Sequence, residues 1–145
     1  MTHRLLPALV LLLLATACAE RDPVEALIES VVQAADDRDA DNLDKLLAKD
    51  FTAGDGTDRE SALRTARQMF AAYKALDLEM SGLEINRRGP AARAKFRLKL
   101  VGVGTDFAGL GDLVPKTATY DVDLTARDED GDWKLVTASW TQPTE

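Results

Sequence analysis

Between positions 23 and 35 the apolar side chains Val24, Leu27, Ile28, Val31, Val32 and Ala35 recur at three- and four-residue spacing, the repeat of a helix with one buried face. Asp22 supplies a cap and Pro23 suits the first helical position, where a missing N–H costs nothing. The acidic run 36–41 ends this helix and caps a second, short one that carries Leu43, Leu46 and Leu47 toward Phe51. Residues 53–58 form a loop rich in glycine and aspartate. Thr57 and Glu60 then make a capping box for a third helix, which presents Leu63, Ala66, Met69 or Phe70, and Tyr73.

From Leu76 the period changes to two. Leu76, Leu78 and Met80 alternate with Asp77 and Glu79, and Leu83 and Ile85 resume after Ser81-Gly82 with a one-residue slip, which predicts a β-bulge and a bend. Beyond a turn at 87–90, Ala92, Ala94, Phe96, Leu98 and Leu100 alternate strictly with Arg93, Lys95, Arg97 and Lys99. A later strand places Tyr120, Val122, Leu124 and Ala126 against Asp121 and Asp123, so antiparallel pairing sets acids beside the basic row. That pairing makes the basic stripe a self-neutralised sheet face rather than a nucleic-acid site. Asp130-Gly131 turns the chain into a last strand over 133–141, with Trp133 and Leu135 on one side and Val136, Ala138 and Trp140 on the other. Apolar groups on both sides imply a central strand or a covered outer face. The glycine-rich connection 102–116, with Phe107 and Leu110, is read as a lid, an interface element or a packed surface loop. It lacks the Gly-Lys-Ser/Thr ending of a phosphate loop.

The first residues change the picture of where the domain resides. Arg4 precedes an apolar run over 5–14, and Ala15-Thr16-Ala17 leads to Cys18, the only cysteine. The stretch has the build of a secretory signal and resembles a bacterial lipoprotein signal, whose cysteine is diacylated and becomes the first residue after cleavage. The other reading is an ordinary cleaved signal with an incidental cysteine. The expected organisation is a signal over 1–17, a lipidated tether over 18–22 and one domain over 23–145, a length that buries about two-thirds of its unfolded surface. Ala19 after Cys18 is consistent, by the same resemblance, with the periplasmic face of an outer membrane. The chain's formal net charge is −7, and losing Arg4 with the signal makes it more negative. Such a body is repelled by nucleic acid and by anionic headgroups, so membrane attachment rests on the lipid.

Candidate chemistry is sparse. His3, the only histidine, lies in the signal, which removes histidine triads, bases and metal sites from the mature domain. Asp37, Asp39 and Asp41 alternate like a calcium loop, but Asn42 and Ala48 stand where that loop needs glycine and glutamate. No cofactor and no metal are expected.

Helices followed by a bent antiparallel sheet make an α+β domain. With Asp39-Ala40-Asp41-Asn42-Leu43, then Leu46-Leu47-Ala48-Lys49-Asp50-Phe51, and the closing Trp133-Lys134-Leu135, residues 24–142 resemble the NTF2-like, or SnoaL-like, superfamily. The resemblance implies a cone of three N-terminal helices packed on a strongly curved antiparallel sheet, with a pocket at its wide end. Phe51, Met69, Phe70, Tyr73, Tyr120 and Trp140 are the pocket-lining candidates, unless they simply fill a core. The ketosteroid isomerases of the superfamily carry a catalytic aspartate that falls by spacing on Asp55, and an oxyanion-stabilising tyrosine that falls on Val31. Asp55 is therefore a general-base candidate without its oxyanion partner, or a plain turn residue. Three functions follow. The first is an envelope lipoprotein whose domain, without catalysis, binds a small apolar ligand or a protein partner. The second is an isomerase, dehydratase or hydrolase built on Asp55 with Tyr73 or Tyr120. The third is a structural module that forms a homodimer through its sheet.

Overall fold

A computed structural model describes residues 21–143; the expected signal, Cys18 and Ala19 lie outside the described residues. The domain is α+β. Helix α1 spans Pro23–Asp36, and the Asp22 carboxylate accepts from the Val24 N–H at 2.9 Å as its cap. Arg38, at φ 55°, reverses the chain after α1, and Asp39 caps α2, Ala40–Leu46, through the Asn42 N–H.

The second helix does not run on toward Phe51. It stops at Leu46, and Leu47–Ala53 is a strand, β1, whose Leu47, Phe51 and Ala53 are buried. Its partner is the last strand of the chain, to which it lies parallel, Leu47 opposite Leu135 and Ala53 opposite Ala138. The sheet is therefore mixed, antiparallel for the most part, and one strand separates the second helix from the third. Helix α3, Arg59–Ala72, is capped by Asp58 accepting from the Ser61 N–H at 2.8 Å, one residue later than the expected Thr57. The Thr57 hydroxyl is instead bound by Asp55. Tyr73 belongs not to that helix but to β2, Tyr73–Arg88.

Strands β3, Ala91–Gly104, β4, Thr117–Glu129, and β5, Asp132–Thr141, complete a sheet ordered β1-β5-β4-β3-β2. The bulge read from Ser81-Gly82 is present, with the β2–β3 register shifting between Ser81 and Glu84 and Gly82 at φ 67°. A second shift explains the two-sided look of the last strand. Ala126 faces Leu135 while Thr125 faces Thr137, so Val136 is an extra residue and the phase reverses across it. Leu135, Ala138 and Trp140 thus share the inner side, and β5 is an interior strand. Segment 102–116 continues β3 and then forms a 3-10 turn, η1, Phe107–Leu113. Gly104 and Gly111 let its two limbs touch, since a Cβ on Gly111 would lie 2.3 Å from the Thr105 carbonyl oxygen.

On the outer face, Arg93 clamps Asp123 through both carboxylate oxygens at 2.9 and 2.5 Å, and Arg97 donates to Asp121 at 3.1 Å. Lys95 stands between Asp123 and Glu84, and Lys99 between Glu79 and Thr119, neither with a close ion pair among the described residues. At one end of the sheet Arg87 binds Asp22 and lies 5.3 Å from the centre of the Trp133 ring, tying the start of α1 to the end of β2.

Two substitutions separate what the fold needs from what it tolerates. Gly111→Ala should cost about 1–3 kcal/mol, because backbone must move to admit the methyl group. Arg97→Ala, by contrast, should shift the melting temperature by no more than about 4 °C, since the pair is exposed and screened. Denaturant and thermal unfolding of both variants measure this.

Candidate functional site

The helices do not fill the space beneath the sheet. A cavity of about 300 Å³ remains between α1, α3 and the inner face, and its wall draws on every strand. The inner-face alternation of β3 and β4 supplies Phe96, Leu98, Leu100, Val122 and Leu124, and α1 supplies Val31 and Val32. Strand geometry places these side chains on one side. Phe51 is buried at the base of the wall, whereas Met69 and Trp140 are 40 % and 56 % exposed and so form rim. Phe107 and Leu113 of η1 project into solvent outside the lining.

All six residues singled out from the sequence, Phe51, Met69, Phe70, Tyr73, Tyr120 and Trp140, border this one cavity. The wall residues of β3, β4 and α1 were legible only as core, because period-two and helical spacing mark a buried side without saying whether something packs against it.

Polar groups in the wall are few. Tyr73, first residue of β2, donates from its hydroxyl to the Pro115 carbonyl at 2.6 Å. Its ring rests on Gly102, where a Cβ would come within 2.5 Å of ring carbon Cε1. Burial, and secondarily the neighbouring Tyr120 phenol, push the Tyr73 hydroxyl above its ordinary value of 10.0, so it stays protonated at neutral pH. Tyr120 faces inward from β4 opposite Leu98 and, unlike Tyr73, has no hydrogen-bond partner among the described residues. The backbone at this end of the sheet is fixed by the turn after α1. Asp36 accepts from the Leu78 N–H at 2.8 Å, and Arg38 donates to the Tyr73 carbonyl.

Asp55 is exposed and stands outside the cavity wall, in the turn between β1 and α3. Its Oδ1 accepts from the Thr57 hydroxyl at 2.5 Å and from the Thr57 N–H at 3.0 Å. These bonds, the hydroxyl's first, hold its carboxyl below the ordinary 3.8, the opposite of the shift that prepares a carboxylate to act as a base near neutral pH. Val31, the position that the isomerases fill with tyrosine, does line the cavity. Among the described residues no group of three or more His, Cys, Asp or Glu side chains is placed to hold a metal ion. A second, more open hollow of about 530 Å³ lies toward the Asn86 and Arg88 end of the sheet, where Arg93 and Arg127 are already paired with carboxylates.

Solved structures share this architecture. Bdellovibrio bacteriovorus Bd1075 superposes with a TM-score of 0.70 at 14 % identity, over 84 % of this chain and 40 % of that one, so the present chain spans well under half of that protein. A protein from Streptomyces avermitilis, named as a candidate dehydratase of the NTF2-like family, gives 0.72 at 13 % identity over 85 % of this chain and 95 % of that one. A candidate scytalone dehydratase from Novosphingobium aromaticivorans gives 0.72 at 14 %, over 84 % and 83 %. At these identities the likeness concerns the fold. No curated protein sequence matches the chain. The sequence model described as the SnoaL-like domain matches residues 16–139, and with the curved sheet, the helices and the cavity in place, the chain belongs to the SnoaL-like domain family.

Proposed function

We propose that the domain binds a small apolar molecule in the cavity without transforming it, and that a lipid on Cys18 holds the mature protein in the cell envelope. The observation that carries the first half is the wall itself: about 300 Å³ of space bounded by aliphatic and aromatic side chains, with no carboxylate, ammonium or guanidinium among them. Such a site gains its affinity from apolar burial, and its few hydroxyls orient rather than react. Asp55, the one general-base candidate, lies outside the wall and is engaged by Thr57. The second half rests on Ala15-Thr16-Ala17 before the sole cysteine and on the short stretch from Cys18 to the start of α1 at Pro23. No helix among the described residues is long and apolar enough to cross a membrane.

A second reading, a dehydratase, isomerase or hydrolase, draws on the names of two of the similar structures, with Asp55 as its base. Asp55→Asn separates the two readings. In a panel of substrates for those three reactions, binding alone gives no turnover in either protein, whereas a base at Asp55 gives turnover that falls about a hundredfold or more in the variant.

Two further outcomes are expected. Leu98→Trp should fill much of the cavity and weaken uptake of a naphthalene-sized probe about tenfold or more, with little change in melting temperature, because the added ring enters existing space. Cys18→Ser should move the protein from the membrane to the soluble fraction of cells. Unchanged fractionation of that variant with membranes would remove the lipid anchor from the proposal.

A further inference from the structure

The chain enters the domain at the end of the sheet remote from the cavity mouth. Asp22, which caps α1, is bound by Arg87 at the end of β2, and the Arg87 guanidinium lies 5.3 Å from the centre of the Trp133 ring at the start of β5. Val24 and Ala92 are buried at this end and border no part of the cavity, so the cone is closed here. From this end α1 runs back along the sheet until Asp36 accepts from the N–H of Leu78, a cavity residue. The 14 residues of the helix advance about 21 Å. On β5, Trp133 marks the closed end and Trp140 the rim, separated by six strand steps and the extra residue Val136, about 20 Å in all.

That separation exceeds the reach of the anchor. Arg21 is paired with Glu29 on the second turn of α1, which leaves residues 18–20 to span the gap to the bilayer, about 11 Å at full extension. With that exposed pair open, the four steps from Cys18 to Asp22 still reach only about 14 Å. Laying the mouth flat on the same bilayer would lift the start of α1 about 20 Å above the surface, beyond either limit. Phe107 and Leu113, 75 % and 79 % exposed at the mouth end, are the groups that such a pose would press into lipid, and the tether withholds them. The turn at the closed end carries Asp128, Glu129, Asp130 and Asp132, so that end is held to the membrane by the lipid and not by attraction to anionic headgroups.

Resting on the lipid anchor proposed above, we infer that the mature protein stands on its membrane by the closed end of the cone with the cavity mouth opening to the aqueous compartment, so that a ligand enters from the aqueous side and not from the bilayer that holds the protein. The contact of Arg87 with Asp22 and Trp133 sets this orientation. It fixes the point where the tether meets the domain at the far end of β2 and keeps the first residues of α1 from swinging toward the rim.

The chain's two tryptophans, one at each end of β5, are the probes. Mature protein purified from membranes is returned to phosphatidylcholine vesicles that carry a dansyl headgroup, and energy transfer is measured in Trp140→Phe, where Trp133 is the donor, and in Trp133→Phe, where Trp140 is. Transfer from Trp133 should be at least about twofold more efficient, because Trp140 stands about 20 Å further along the strand. Acrylamide should quench Trp140 equally in the vesicle-bound protein and in soluble Cys18→Ser. Phe107→Asp, a change at an exposed tip that the fold tolerates, should float with the vesicles as wild type does. The inference is overturned if Trp140 transfers as well as Trp133, if vesicles shield Trp140 from acrylamide, or if Phe107→Asp loses flotation; the lipid anchor survives each of these results as long as Cys18→Ser stays off the vesicles. If wild type does not float, or Cys18→Ser floats as wild type does, the anchor fails and this inference fails with it.

Discussion

A strand advances more than twice as far per residue as a helix, and the site exists because of that inequality. Strand β2 has 16 residues and β3 has 14, while α1 and α3 have 14 each. At about 3.3 Å per strand residue and 1.5 Å per helical residue, two helices of roughly 21 Å face strands of roughly 46–53 Å. Helices of that length cannot cover the inner face of the sheet. Where they do cover it, Val24, Ile28, Leu63, Phe51 and Leu135 close into a continuous core. Where they fall short, the sheet must either expose its apolar side or curve over the gap.

The bulges provide the curvature. Extra residues at Ser81–Glu84 in β2 and at Val136 in β5 increase local twist and bend the strands around the helices. The sheet then wraps a volume that no side chain of its own fills, and that volume is the cavity. A sealed void of 300 Å³ would cost on the order of several kcal/mol in lost contacts. The exposed rim at Met69 and Trp140 relieves part of that cost by admitting water, and an apolar ligand displacing the water would relieve the rest. Among the described residues no helix lies over the outer face. It is kept in water by rows of opposite charge, with Arg93 and Arg97 bound to Asp123 and Asp121 and with Glu79 and Glu84 on the flanking strand.

How much of this the sequence revealed depended on whether the cause was local. Helix α1, the strict alternation of β3, its acidic answer in β4 and the Gly82 bulge are written in neighbouring residues, and each is where its pattern put it. Strand β1 is not. Leu47–Ala53 reads locally as the tail of a short amphipathic helix, and its extended form is imposed by Leu135 and Ala138, which lie far off in the chain. Tyr73 was misplaced for a related reason: Ala72 and Tyr73 fit a helical stripe, but the pairing of Tyr73 with Gly104 draws the backbone into β2. In β5 the extra residue, Val136, carries no glycine to betray it, so a phase reversal looked like two apolar faces. The six aromatic and methionine positions named from the sequence do meet around one space, but spacing cannot register emptiness. Only the three-dimensional mismatch of helix and strand lengths leaves the volume between them unfilled.

Electrostatics acts on that space at two ranges, and both act in one direction. At long range the chain carries a net charge of −7, so an anion approaching the rim meets a repulsive field that salt weakens beyond about 8–10 Å. At short range the wall offers no cation to an anion that does enter. The exposed arginines closest to the sheet do not alter this, because Arg93, Arg97 and Arg127 are already held by Asp123, Asp121, Asp50 and Glu129 on the outer side. For Arg127 those partners push the guanidinium further above its already high ordinary value, so it stays charged throughout the accessible pH range. An uncharged molecule is indifferent to the field, so for it only shape and apolar area count. The pairing that neutralises the outer face thus also holds these guanidinium groups on the side of the sheet away from the cavity, whose wall is left to aliphatic and aromatic side chains.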